Sequence, residues 1–186
     1  MKKRISIVML MLTICILGAC GKEVSVSDNE KPVTVIHAEY PLYDTAQELV
    51  GEADLVFSGT VESISYEMLD VRTDTGEDSV TGLSQSQKIP YTIYEVKVDS
   101  IYKGDSSETY ISIKCPGGEA DDSQYIVEGG TILQEGESYL FLTKTYENTY
   151  PSLLNATQST YNMNEPNAVN EDEDKITLSD ILDILQ

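Results

Sequence analysis

Three cysteines and one histidine are the most reactive side chains in this 186-residue sequence. A thiolate can attack or take up an acyl group, and an imidazole can move a proton. Cys20 follows Leu17-Gly18-Ala19 at the end of an apolar run. Cys115 closes the alternation Ile111, Ile113, Cys115, which puts its sulfur on the apolar face of a strand and predicts a buried, inert thiol. His37 sits in a short segment ahead of the expected folded region and reads as an ordinary polar residue. Asn170-x-Asp172-x-Asp174 alternates oxygen ligands as a calcium loop does. Lys175 stands where the turn glycine belongs and Ile181 where the bidentate glutamate belongs, so a solvated acidic linker is expected instead. The sequence has no phosphate loop, no His or Cys cluster of metal-binding type and no nucleophile elbow. Its 32 acidic residues offer no carboxylate pair that spacing singles out. The expected catalytic set, metal set and cofactor are therefore none.

The setting of Cys20 gives it a more definite chemistry. Lys2, Lys3 and Arg4 precede a 13-residue apolar run from Ile5 to Leu17. A membrane-spanning helix needs about 20 such residues, so the run is a signal segment and not a span. Leu17 fits ordinary secretory cleavage poorly, because small residues are wanted at the first and third positions before the cut. Leu17-Gly18-Ala19-Cys20 resembles a bacterial lipobox. The resemblance implies a diacylglyceryl group on the Cys20 thiol, cleavage before Cys20, and a further acyl chain on the new amine. Two or more chains give stable anchoring, at about 0.8 kcal/mol per buried methylene. In a bacterial lipoprotein the acceptor-like Asn155-Ala156-Thr157 is expected to carry no glycan.

Charge then limits the partners. Loss of residues 1–19 removes three of the 12 basic residues, leaving 9 against 32 acids and a net charge of −23. Nucleic acid is excluded as a partner, since its affinity comes from cationic neutralisation of phosphate. Anionic lipid is repelled too, so the acyl chains must hold the protein to the membrane without electrostatic help. The acidity itself is expected to serve solubility and mutual repulsion at a crowded cell surface. With Cys15 lost in the signal and Cys20 lipidated, Cys115 is left without a disulfide partner.

The elements that must position these residues are mostly strands. Residues 20–43 read as a polar tether and 44–161 as the folded domain. Asp44-Thr45-Ala46-Gln47 predicts a short helix capped by Asp44 and stopped at Gly51. Strands are expected over Leu55 to Tyr66, Tyr91 to Tyr102, Tyr110 to Cys115 and Tyr139 to Lys144, with a weaker pair at Ser152 to Ala156 and Ser159 to Tyr161. The first two switch parity midway: Leu55, Phe57, Gly59 and Val61 share a face that Ile64 and Tyr66 leave, and Ile101 leaves the face of Tyr94, Val96 and Val98. A one-residue slip of this kind predicts a bulge in each strand, hence long bent strands that curl a small sheet. Lys103-Gly104-Asp105-Ser106 predicts a tight hairpin connection, and Thr73 to Gln87 a polar insertion. Residues 162–175 form an expected acidic linker to a helix over 176–186, capped at Thr177-Leu178-Ser179-Asp180 and expected to pack on the barrel, with a detached recognition helix as the alternative.

The fold class expected is mainly β: a small five-stranded OB-type barrel with a short N-terminal helix and a C-terminal helix. Ala53-Asp54-Leu55-Val56-Phe57-Ser58-Gly59-Thr60-Val61, Tyr91 to Val98, Ile101-Tyr102-Lys103-Gly104 and Gly136-Glu137-x-Tyr139-Leu140 carry a resemblance over about residues 44–161. They are similar to the barrel of netrin-like modules and tissue inhibitors of metalloproteinases, and to bacterial surface lipoproteins of the same layout. In the inhibitors a disulfide-bonded N-terminal cysteine with a free amine chelates the protease metal. Cys20 is lipidated in the reading above and has no partner cysteine, so that role does not transfer. The 12 tyrosines, set against two phenylalanines and no tryptophan, supply nearly all the aromatic surface, for the core first and for stacking on sugars or extended peptides second. The function expected is a non-enzymatic, lipid-anchored module on the extracytoplasmic face of the cell membrane, binding a protein or glycan of the envelope. The alternatives are a carboxylate-based hydrolase of envelope polymers and an accessory subunit of an envelope assembly.

Overall fold

A computed structural model describes residues 31–70, 88–165 and 176–186. The elements in chain order are β1 (Val33–Ile36), α1 (Ala46–Glu52), β2 (Leu55–Leu69), β3 (Ile89–Lys103), β4 (Tyr110–Pro116), β5 (Gly118–Ala120), β6 (Ser123–Val127), β7 (Ser138–Lys144), β8 (Ser152–Leu153), β9 (Thr160–Asn162) and α2 (Leu178–Leu185). The chain is mainly β with two short helices. One sheet runs β2-β3-β4-β8-β7-β9, with β7 also antiparallel to β2, so the pairings that leave β2 through β3 return to it through β7. A smaller sheet runs β1-β6-β5.

Both expected bulges are present. The β2–β3 register slips between Val61 and Ser63, leaving Glu62 unpaired, and again between Ser58 and Gly59, where Asp99 is the extra residue on β3. A third slip lies between Val56 and Phe57. These irregularities bend two 15-residue strands enough for β2 to pair with β3 on one side and β7 on the other. Gly59 marks the tightest approach: a Cβ there would stand 2.5 Å from the Lys97 carbonyl oxygen and 2.6 Å from Val96 Cγ1. No larger residue fits without displacing β3.

Alternation in β2 and β7 divides the apolar residues between two cores. Leu55, Phe57 and Val61 join Tyr139 and Phe141 on one face, with Val96, Ile111, Ile113 and Leu133. The Phe57 and Phe141 rings stack at 5.1 Å between centroids. Val56, Leu140 and Leu142 point the other way, under Leu49 and Val50 of α1 and Leu178 and Ile181 of α2. A strand covered on both faces needs an unbroken apolar run, and Tyr139-Leu140-Phe141-Leu142 supplies it. The C-terminal helix packs where it was expected to, entered through a capping box of Thr177 and Asp180.

Several local expectations are corrected. Thr45, not Asp44, caps α1: its hydroxyl accepts from Glu48 N at 3.2 Å. Gly51 lies within the helix, whose end comes at Ala53, and Lys103 Nζ donates to the exposed carbonyls of Val50 and Gly51 at 2.7 and 2.9 Å. β3 and β4 form the expected antiparallel hairpin, but through a connection longer than Lys103-Gly104-Asp105-Ser106. The pairing of β3 with β4 ends at Lys97 and Tyr110, while residues beyond Lys97 run on along the start of β2. Residues 20–43 are not tether throughout: β1 pairs in parallel with β6. The acidic stretch after Gly118 is a hairpin, with Asp121 at φ 49° in the two-residue turn between Ala120 and Ser123. Asp tolerates that left-handed conformation. The weaker pair contracts to β8 and β9, and β9 carries the fold into the stretch expected as linker. The signal segment with Cys20, the whole 73–87 insertion and most of the 162–175 linker, with Asn170, Asp172 and Asp174, lie outside the described residues.

Candidate functional site

The end of β4 meets β8, the loop after β7 and the segment after β1 around a cleft of about 930 Å3. Lys114, Cys115, Tyr91, Tyr146 and Tyr40 line it, with Thr131, Asn148 and Ser152 among the small polar groups. A cavity of this size suits a small ligand.

Lys114 is the basic residue among those lining the cleft, and it is 4% exposed. Its ammonium donates to the Tyr150 carbonyl at 2.7 Å and the Thr149 hydroxyl at 3.3 Å, and lies 4.1 Å from the centroid of the Tyr146 ring. These partners are neutral, and burial lowers the Lys114 pKa from its ordinary value. The backbone fixes the same corner, since Lys114 N donates to the Pro151 carbonyl at 2.9 Å. Tyr146 stays 45% exposed while its hydroxyl shares a 3.1 Å hydrogen bond with Ser152. Burial raises the pKa values of Tyr40 and Tyr91, which keeps both as neutral phenols that donate and accept. Asp70 and Glu147 also line the cleft, and both are exposed.

A buried polar network holds the wall that carries Tyr40. Gln158 Nε2 donates to the Tyr43 carbonyl at 3.0 Å while its Oε1 accepts from Tyr43 N at 3.0 Å, so the side-chain amide pairs with the backbone as a neighbouring strand would. Asn155 Nδ2 donates to the Pro41 carbonyl at 3.0 Å and to Gln158 Oε1 at 3.0 Å. Asn155 Oδ1 accepts from Gln158 N at 2.6 Å and from Thr157 N at 3.2 Å. The amide of Asn155-Ala156-Thr157 is thus committed to folding, and a glycan on it would dismantle this network. Beside this network the Thr131 hydroxyl donates to the Ala156 carbonyl at 2.9 Å.

The cysteine and histidine readings fare differently. Cys115 is only half-buried as a residue, yet desolvation pushes its thiol up to about 12, so it is a poor nucleophile although it lines the cleft. His37 belongs to the folded part and not to a segment before it. It follows β1 directly, and its Nδ1 meets Glu128 Oε2 at 2.6 Å just beyond β6. The tyrosines divide: Tyr91, Tyr94, Tyr139 and Tyr161 are buried, whereas Tyr66, Tyr110 and Tyr146 are exposed. Burial pushes the Tyr94 phenol up to about 12. Among the described residues no group of three or more His, Cys, Asp or Glu is arranged to hold a metal ion, and no helix is long and apolar enough to cross a membrane.

Sequence reasoning missed Lys114, the residue with the least common environment. Between Ile113 and Cys115 a lysine reads as the solvent face of a strand. Its burial comes from the loop after β7 folding over β4, which local pattern does not encode. No protein-family model matches the chain, and comparison with curated proteins gives no significant match.

Proposed function

We propose that this chain is a lipid-anchored binding module of the bacterial cell envelope, held through Cys20 on the extracytoplasmic face, with its cleft turned to a glycan or protein partner. The observation that carries the binding half is the cleft itself: tyrosine rings and short polar side chains on walls fixed by strand pairing and a buried amide network. Exposed aromatics on a rigid wall give contact area at little cost in side-chain entropy. The anchor half is supported by the Lys2-Lys3-Arg4 head, the 13-residue apolar run and Leu17-Gly18-Ala19-Cys20. We read the circuit of pairings β2-β3-β4-β8-β7 as a closed five-stranded OB-type barrel of the netrin-like kind, with β9, the small sheet and two helices added outside it.

Growth with a labelled fatty acid tests the anchor. The full chain takes up label and sediments with membranes, and Cys20→Ser loses both. A Cys20→Ser chain that still partitions with membranes removes the anchor from this reading. Binding is tested separately, by the saccharide titrations and in situ crosslinking described below.

A further inference from the structure

We propose that the cleft takes a saccharide carrying a single carboxylate, with Lys114 as its counter-charge. This rests on the cleft being a binding site, and it adds the chemistry of what is bound.

The lysine environment is the starting point. Acids outnumber bases 32 to 12 in this chain, and Lys144 and Lys31 have each found one, Asp54 at 3.0 Å and Glu119. Lys114 is more buried than either, and among the described residues no carboxylate pairs with it. A buried ammonium with neutral partners has its desolvation only partly offset, and an arriving carboxylate supplies the missing charge. The lining also limits how much negative charge enters. Asp70 and Glu147 are exposed on the same cleft and repel further anionic groups, while the whole chain carries a net charge of −20. One carboxylate is matched, and several are not.

The walls favour a sugar over a peptide. Extended peptides gain affinity by adding to an open strand edge. Here β4 is paired with β3 along its length, and its other edge is met at Lys114 by Ser152 of β8, which itself pairs with β7, so the strand edges at Lys114 and Ser152 are already engaged. What the cleft presents is rings and side-chain hydroxyls and amides: Tyr146 and the partly exposed Tyr40 for stacking, Asn148 and Ser152 for hydroxyl recognition.

Isothermal titration of the full chain in detergent tests this with four probes. They are a neutral glucose trisaccharide, the same trisaccharide ending in one glucuronic acid, a trimer of glucuronic acid, and an acetylated alanine tripeptide with a free carboxylate. The mono-acid should bind about tenfold tighter than the neutral sugar, as one charge-assisted contact provides, and the tri-acid should lose that gain. Lys114→Met should bring the ratio of mono-acid to neutral-sugar affinity down to about one, whereas Lys114→Arg should retain the preference. If Lys114→Met melts early, the wild-type preference still has to shrink with added salt. Equal affinity for neutral and mono-acid sugars overturns the role of Lys114 and leaves the binding site standing. A tighter tripeptide overturns the saccharide. Failure of all four probes at millimolar concentration overturns this proposal, and the binding site falls with it only if in situ crosslinking from the cleft also fails.

Discussion

β7 runs past two differently furnished regions of the molecule. Over its length Leu140 and Leu142 lie beneath α1 and α2 and Phe141 lies against Phe57, and the groups buried there are apolar apart from Thr143, whose hydroxyl donates to the Leu55 carbonyl at 3.0 Å. Beyond its end the chain turns over β4, where a lysine, tyrosines and short polar residues surround the cleft, and buried amides hold the wall. One region is shaped by water exclusion, the other by hydrogen bonds that fix side chains around a space. Stability and recognition are therefore assigned to different parts of one sheet, and substitutions should separate them.

The largest effect should come from the apolar region. Phe141→Ala removes a fully buried ring stacked on Phe57 and should cost about 3–5 kcal/mol in denaturant unfolding. A loss under about 1 kcal/mol would erase the distinction between the regions. Asn155→Ala should cost about 1–3 kcal/mol, because Pro41 O loses its donor and the Gln158 amide a partner. It should also weaken binding more than its stability cost accounts for, since the wall carrying Tyr40 loosens. An Asn155→Ala chain with full stability would show that the amide network holds nothing.

Alkaline pH gives a finer comparison. The Cys115 thiol rises from 9.0 to about 12 in the folded chain, so the folded state keeps a proton that the unfolded state gives up. Its contribution is fully present below pH 9 and is lost as pH climbs toward 12. Wild type should exceed Cys115→Ala by about 1 kcal/mol at pH 7, the cost of a small cavity, with the gap closing above pH 9. A gap constant to pH 12 would place the thiol in water. Tyr146→Leu should change stability least, within about 0.5 kcal/mol for a 45% exposed ring, while weakening ligand binding. An equal loss of stability and binding would make Tyr146 a structural residue.

What the sequence disclosed follows the same division. The bent strands were readable because each bulge shifts parity, as Val61 to Ile64 and Val98 to Ile101 show. Both faces of β7 and the docking of α2 follow from local apolar pattern. β1 was not readable, since its parallel partner β6 is remote and four residues carry little pattern. β5 and β6 were hidden by the acids of their turn, where Asp121 stands in for the usual glycine. The choice of Thr45 over Asp44 lay between two good caps one residue apart. The cleft was least legible, because Lys114, Tyr40 and Tyr146 meet only through long-range folding.

The most direct test of the central claim compares the two regions in place. A photo-crosslinking residue is put at Tyr146, on the cleft, and in a second chain at Ile184, exposed at 43% on α2, and both are irradiated in intact cells. Position 146 should give an envelope adduct that is suppressed by an excess of the trisaccharide ending in one glucuronic acid, and position 184 should give none. Labelling from 184 alone, or equal labelling from both, would contradict that claim.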